Sequence, residues 1–135
     1  MLLAHVAAIL DRELRTLRRE VEAYADERDL WRLPPGAANS AGTLALHLAG
    51  NIQHYLGARL AGTGYLRDRP AEFADRNVPR QEIVARIEAA RSSIWVTGCR
   101  SWYLDDRGVP MSWPWTFDRF REEMSAPKLE AFELR

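Results

Sequence analysis

The sequence predicts an all-α domain, an up-and-down helical bundle with a long crossover between helices 2 and 3 and a short or degenerate last helix. Three observations predict it. Apolar residues recur at steps of three, four or seven over three long stretches. Proline and glycine punctuate the boundaries between those stretches. Between the second and third, Gly62 to Val78 is rich in Gly, Arg, Asp and Pro and has no period. At 135 residues and 47% hydrophobic, the chain reads as a single domain over 1–135, with 95–135 atypical.

The first helix carries Leu3, Val6, Leu10, Leu14, Leu17, Val21, Tyr24 and Trp31, with Asp11, Arg12, Arg15, Arg18 and Arg19 between them. It is expected to run to about Arg32, where Pro34-Pro35-Gly36 forbids continuation. Asn39 and Ser40 are good N-caps for a second helix with Leu44, Leu48, Ile52, Leu56 and Leu60, which Gly62 and Gly64 end. The crossover holds Tyr65 and Phe73 as isolated apolar anchors and leaves room for one short helical turn. Pro79 suits the first position of a third helix, whose buried stripe is Ile83, Ile87, Ala90 and Ile94, with Glu82 and Arg86 as an exposed i,i+4 pair. After Trp95 the period fades and tryptophans cluster, leaving Thr116 to Met124 as a short, imperfect fourth helix.

Composition excludes several classes of function. Nineteen basic and nineteen acidic residues cancel, so no net positive field draws nucleic acid or an anionic membrane. No run approaches the about 18 uninterrupted apolar residues of a membrane span. Cys99 is the one cysteine, which excludes an internal disulfide, a four-cysteine zinc site and a CxxC pair. The N-terminus lacks the basic flank of a signal peptide, and the expected location is cytoplasmic.

The chemistry-bearing feature is the polar stripe of the second helix, where His47, Asn51 and His54 follow at steps of four and three. His47 is set among leucines and alanines, as a metal ligand, an acid or base, or a buried histidine satisfied by one hydrogen bond. His47 and His54 are separated by about 10.5 Å of helix rise, too far to share one tetrahedral ion. Further ligands would have to come from a facing helix. His5 reads as partly solvated. Arg67, Asp68, Arg69 and Glu72 either bind an anionic substrate or fix the crossover through ion pairs and caps, the second being the simpler account. Cys99 reads as a small buried hydrophobe rather than a nucleophile, and Trp113-Pro114-Trp115 as packing or a subunit contact.

The run Gly-Thr-Leu-x-x-His-Leu-x-Gly-Asn from Gly42 to Asn51, followed by Gly64-Tyr65, Arg67-Asp68-Arg69 and Ala71-Glu72-Phe73, resembles the second helix and crossover of the DinB-like bundle superfamily. The resemblance covers residues 1 to 95 in layout and has its diagnostic residues at 39–73. It implies a four-helix bundle and, in many members, a divalent metal such as zinc or nickel held by three histidines. His47 falls at the helix-two ligand. Asn51 and His54 would be groups beside the metal or substrate. The HxxxH pair of the last helix is missing, since no histidine follows His54. Asp118 and Glu122 have the spacing of a replacement pair, although a solvated helix face explains them more simply.

Three readings follow. One is a divalent-metal-dependent thiol transferase or hydrolase-like protein with an incomplete triad, acting on a small thiol or an electrophilic substrate. The second is a metal-free, non-catalytic binding or dimerisation module. In the third, the last 40 residues are truncated or frame-altered. A bundle short of part of its last helix exposes apolar stripes, so a homodimer is expected.

Overall fold

The computed structural model describes residues 2–102. Its elements are α1 (Leu2–Ala23), a 3-10 turn (Glu27–Trp31), α2 (Ala41–Ile52), a wider π-type continuation (Gln53–Ala61), α3 (Arg69–Ala74) and α4 (Arg80–Trp102). Among the described residues there is no strand, as an all-α reading requires. Thr116–Met124, Asp118, Glu122, Trp113-Pro114-Trp115 and the proposed change of the C-terminus lie outside them.

The first helix is shorter than the apolar period suggests. It ends at Ala23, and Asp26 starts a separate turn by accepting from the Arg28 amide at 2.9 Å. The Arg28 guanidinium closes on the same carboxylate, whose pKa falls to about 2 through those bonds. A short acidic side chain that takes a nearby amide competes with helix propagation. The turn then delivers Leu30 into the core with no exposure. Trp31 lies over α2 at Gly42, where a Cβ would stand 3.1 Å from the indole.

Helix α2 begins where the cap residues place it: Ser40 Oγ accepts from the Thr43 amide at 3.2 Å and pairs with Thr43 Oγ1 at 3.0 Å. The helix widens from Gln53, and Gly62 closes it in the left-handed region at φ 66°. Along that segment Thr97 of α4 donates to the Leu56 carbonyl at 2.8 Å, an inserted side chain of the kind that loosens a helical ladder.

In α4 the stripe Ile83, Ile87, Ala90 and Ile94 is wholly buried and joins Leu14, Val21, Leu30, Ala45, Leu46 and Ala49 in one core. Pro79 stands just before the helix, and its carbonyl accepts from Glu82 and Ile83. The helix runs on to Trp102, past the point where the apolar period fades. Nothing between Trp95 and Trp102 forbids helical backbone, because Gly98 is tolerated and no proline intervenes.

Side-chain pairs give the helix directions. Asp11 meets Arg91, Arg18 meets Glu88, and the Tyr24 carbonyl meets Arg80, so α1 and α4 are antiparallel. Gln53 reaches the Arg86 carbonyl and Leu56 meets Thr97, so α2 and α4 run the same way. A parallel pair needs a long return. Residues 62–79 supply it, carrying α3 as their one helical turn and returning the chain to the N-terminal end of α2.

Candidate functional site

The return segment is fastened to α2 by a buried carboxylate. Asp68 caps α3 by accepting from the Ala71 amide at 3.0 Å, and Pro70 fits the first turn, where an amide hydrogen would be unpaired. This sets Glu72 against α2 with its side chain 5% exposed. Arg67 grips it from the same loop, with Nε 2.7 Å from Oε1 and Nη2 2.9 Å from Oε2. From α2, His47 Nδ1 lies 3.0 Å from Oε2. Arg67 also gives Nη1 to Asn51 Oδ1 at 3.4 Å, and its Nη2 stands 3.3 Å from His47 Nδ1.

Burial pushes the Glu72 carboxyl up, but hydrogen bonds from Arg67 and His47, together with their charge, outweigh it and hold the group below its ordinary value. The Arg67 guanidinium is raised by the same hydrogen bonds to Glu72. An ionised carboxylate can only accept, so the His47 proton belongs on Nδ1. In the neutral ring the lone pair is then on Nε2. It has no hydrogen-bond partner among the described residues, and a quarter of the side chain is exposed. The Phe73 ring packs 4.7 Å from the imidazole, centre to centre, and the Arg69 guanidinium lies 5.2 Å from the centre of the Phe73 ring.

Of the three stripe residues, the structure brings two together. His47 and Asn51 share Arg67, whereas His54 stands edge-on to Tyr55 at 4.9 Å. His54 sits in the π-type segment, where the wider turn departs from the spacing that aligns positions 47, 51 and 54 in an ideal α-helix. His5 is exposed, as expected. Arg67, Asp68 and Glu72 form a helix cap and ion pairs that extend to α2, and Arg69 stacks near Phe73.

Two features escape a reading of the sequence. Gly50 is the place where Glu72 lies, since a Cβ there would overlap Oε1 and stand 2.8 Å from Cδ. Asp11, which the sequence sets among outward polar residues, is only 4% exposed, accepts from Arg91 at 2.8 Å and pairs with the Arg15 guanidinium at 2.6 Å. Neither leaves a local signal, because each partner is remote in the chain or hidden by ordinary helix spacing.

The residues around His47 do not by themselves fit a divalent ion held by three ligands. One ring nitrogen is engaged by Glu72, a guanidinium stands beside it, and among the described residues no three His, Cys, Asp or Glu converge. A hollow of about 620 Å³ lies elsewhere, where Ala25 to Glu27 meet Pro79 to Gln81. Among the described residues no helix is long and apolar enough to cross a membrane.

No protein-family profile matches the chain, and no solved structure matches it. Over 47 residues, 35% of this chain, it is 36% identical to uncharacterised monooxygenases of Mycobacterium bovis and Mycobacterium tuberculosis. The matched stretch spans 10% of the length of those relatives.

Proposed function

We propose that this chain is a DinB-like bundle module of the metal-free, non-catalytic kind, which acts by binding and dimerisation. The supporting observation is the Arg67–Glu72–His47 lock, because it gives the residues of the Gly42–Asn51 run packing roles. Gly42 admits Trp31, Gly50 admits Glu72, His47 bonds the carboxylate, and Asn51 receives Arg67. These contacts hold the return segment on α2. They balance one guanidinium against one carboxylate and need no ion.

One observation favours a second reading, a divalent-metal-dependent thiol transferase or hydrolase-like protein that uses zinc or nickel. Glu72 fixes the Nδ1 proton and leaves Nε2 available, which is how carboxylates orient metal-binding histidines. That reading requires ligands beyond the described residues.

Elemental analysis separates the two. The protein, purified without a histidine tag, is exposed to zinc and nickel beside a His47→Ala variant. Absence of bound metal in both is the expected result. Near-stoichiometric metal in the wild type that disappears in His47→Ala overturns the metal-free reading and supports the second.

A further inference from the structure

We propose that the return segment from Gly62 to Asn77 is a gate, which lifts from the folded bundle as a unit and uncovers His47, Gly50 and Asn51 of α2. The opening depends on the Arg67–Glu72–His47 lock and requires neither a metal nor a second copy.

What holds the segment down is polar. From Gly62 to Asn77 the one buried residue is Glu72. No side chain of this stretch joins the apolar core, which takes up the chain again at Val78. Past Gly64, and among the described residues, its hydrogen bonds to α2 come from Glu72 and Arg67 alone, and they end on His47 and Asn51. Phe73 adds a ring contact with His47. Segments with few buried apolar contacts open at lower cost than the whole molecule. The elements beneath are held differently, because α2 puts Ala45, Leu46 and Ala49 into the core and α4 its isoleucine stripe. They stay in place when the segment leaves.

The segment is also built to move in one piece. Asp68 caps α3, the amides of Glu72 and Asp75 bond within the segment, and Arg67 pairs with Glu72 inside it. Carboxylate and guanidinium therefore leave together, and no unpaired charge stays behind on α2. That avoids the largest cost of breaking a buried ion pair. The imidazole and the Asn51 amide that remain are groups water can satisfy. At both ends the backbone is left-handed, with Gly62 at φ 66° and Gly64 at φ 76° on one side and Asn77 at φ 58° on the other. Among the described residues Asn77 is the one non-glycine with a positive φ. A few such terminal positions are what a hinge needs to absorb the backbone change.

The test is limited trypsin digestion of the full chain in a urea series, with the cut after Arg67 read by mass spectrometry and global unfolding by circular dichroism. In the closed state that side chain is 10% exposed and bound to Glu72. The expected result is a cut rate nearly independent of urea below the unfolding transition, since a local opening exposes little surface and the cut follows the open population. A rate that climbs with urea as steeply as global unfolding overturns the gate. In Glu72→Gln the cut without urea should be at least about tenfold faster while the helical signal is kept, and an unchanged rate overturns the lock as its latch. Should that variant fail to fold, His47→Ala loosens the latch from the α2 side: a faster cut supports the gate and an unchanged one overturns it.

Discussion

Glu72 occupies the space that a side chain at position 50 would fill. Its carboxylate lies directly against the Gly50 backbone, so close that a Cβ would overlap Oε1. Glycine is unfavourable inside a helix by about 1 kcal/mol relative to alanine. Here that loss is offset by a contact that no other residue permits, and the contact lets the return segment reach His47.

Gly50→Ala should therefore destabilise the protein by about 1–3 kcal/mol through overpacking, despite the better helix propensity of alanine. Urea unfolding measures this. In a Glu72→Ser background the same change should be neutral or stabilising, because the obstructing carboxylate is gone. Equal destabilisation in both backgrounds would sink the assignment.

Glu72 should shape the acid side of the stability profile. Its folded pKa is depressed below the ordinary 4.5, so its contribution is fully present above that value and is lost as pH falls through the folded value. Unfolding midpoints recorded from pH 6 to pH 3 should fall less steeply for Glu72→Gln than for wild type. At neutral pH the variant should be less stable by about 1–3 kcal/mol, since Arg67 loses its ionised partner. An unchanged acid slope would count against the lock.

Asp11 and Arg18 both tie α1 to α4, and their burial makes them unequal. Asp11→Ala should cost about 1–3 kcal/mol, because it removes the buried α1 partner of Arg91 and leaves that guanidinium with Glu88 alone. Arg18→Ala, at a side chain 42% exposed that bridges Glu22 and Glu88, should cost far less, because solvent screens both pairs. Similar losses at the two sites, in one denaturant series, would refute the ranking.

The sequence by itself determined the helices of residues 2–102 and much of their limits. Ser40 begins α2, Gly62 closes its continuation, Asp68 starts α3 and Pro79 precedes α4, since caps and breakers act within a few residues and need no tertiary partner. The buried stripe of α4 was equally legible, because helical period alone places Ile83, Ile87, Ala90 and Ile94 on one face. His47 stood out for the same reason, as the first residue of a polar stripe shared with Asn51 and His54.

Only the tertiary structure decided what His47 touches. Glu72 and Arg67 lie 25 and 20 residues away, and the loop that brings them is ordered by its fit over Gly50. It also decided that the turn after α1 carries Leu30 into the core, where the first helix was expected to run on. It buried Asp11 for the same kind of reason, since a carboxylate can leave water when two arginines replace its hydration, and one of them comes from a helix 80 residues away. Local propensity is written in neighbouring residues, whereas the partners of a buried charge are fixed only when the helices pack.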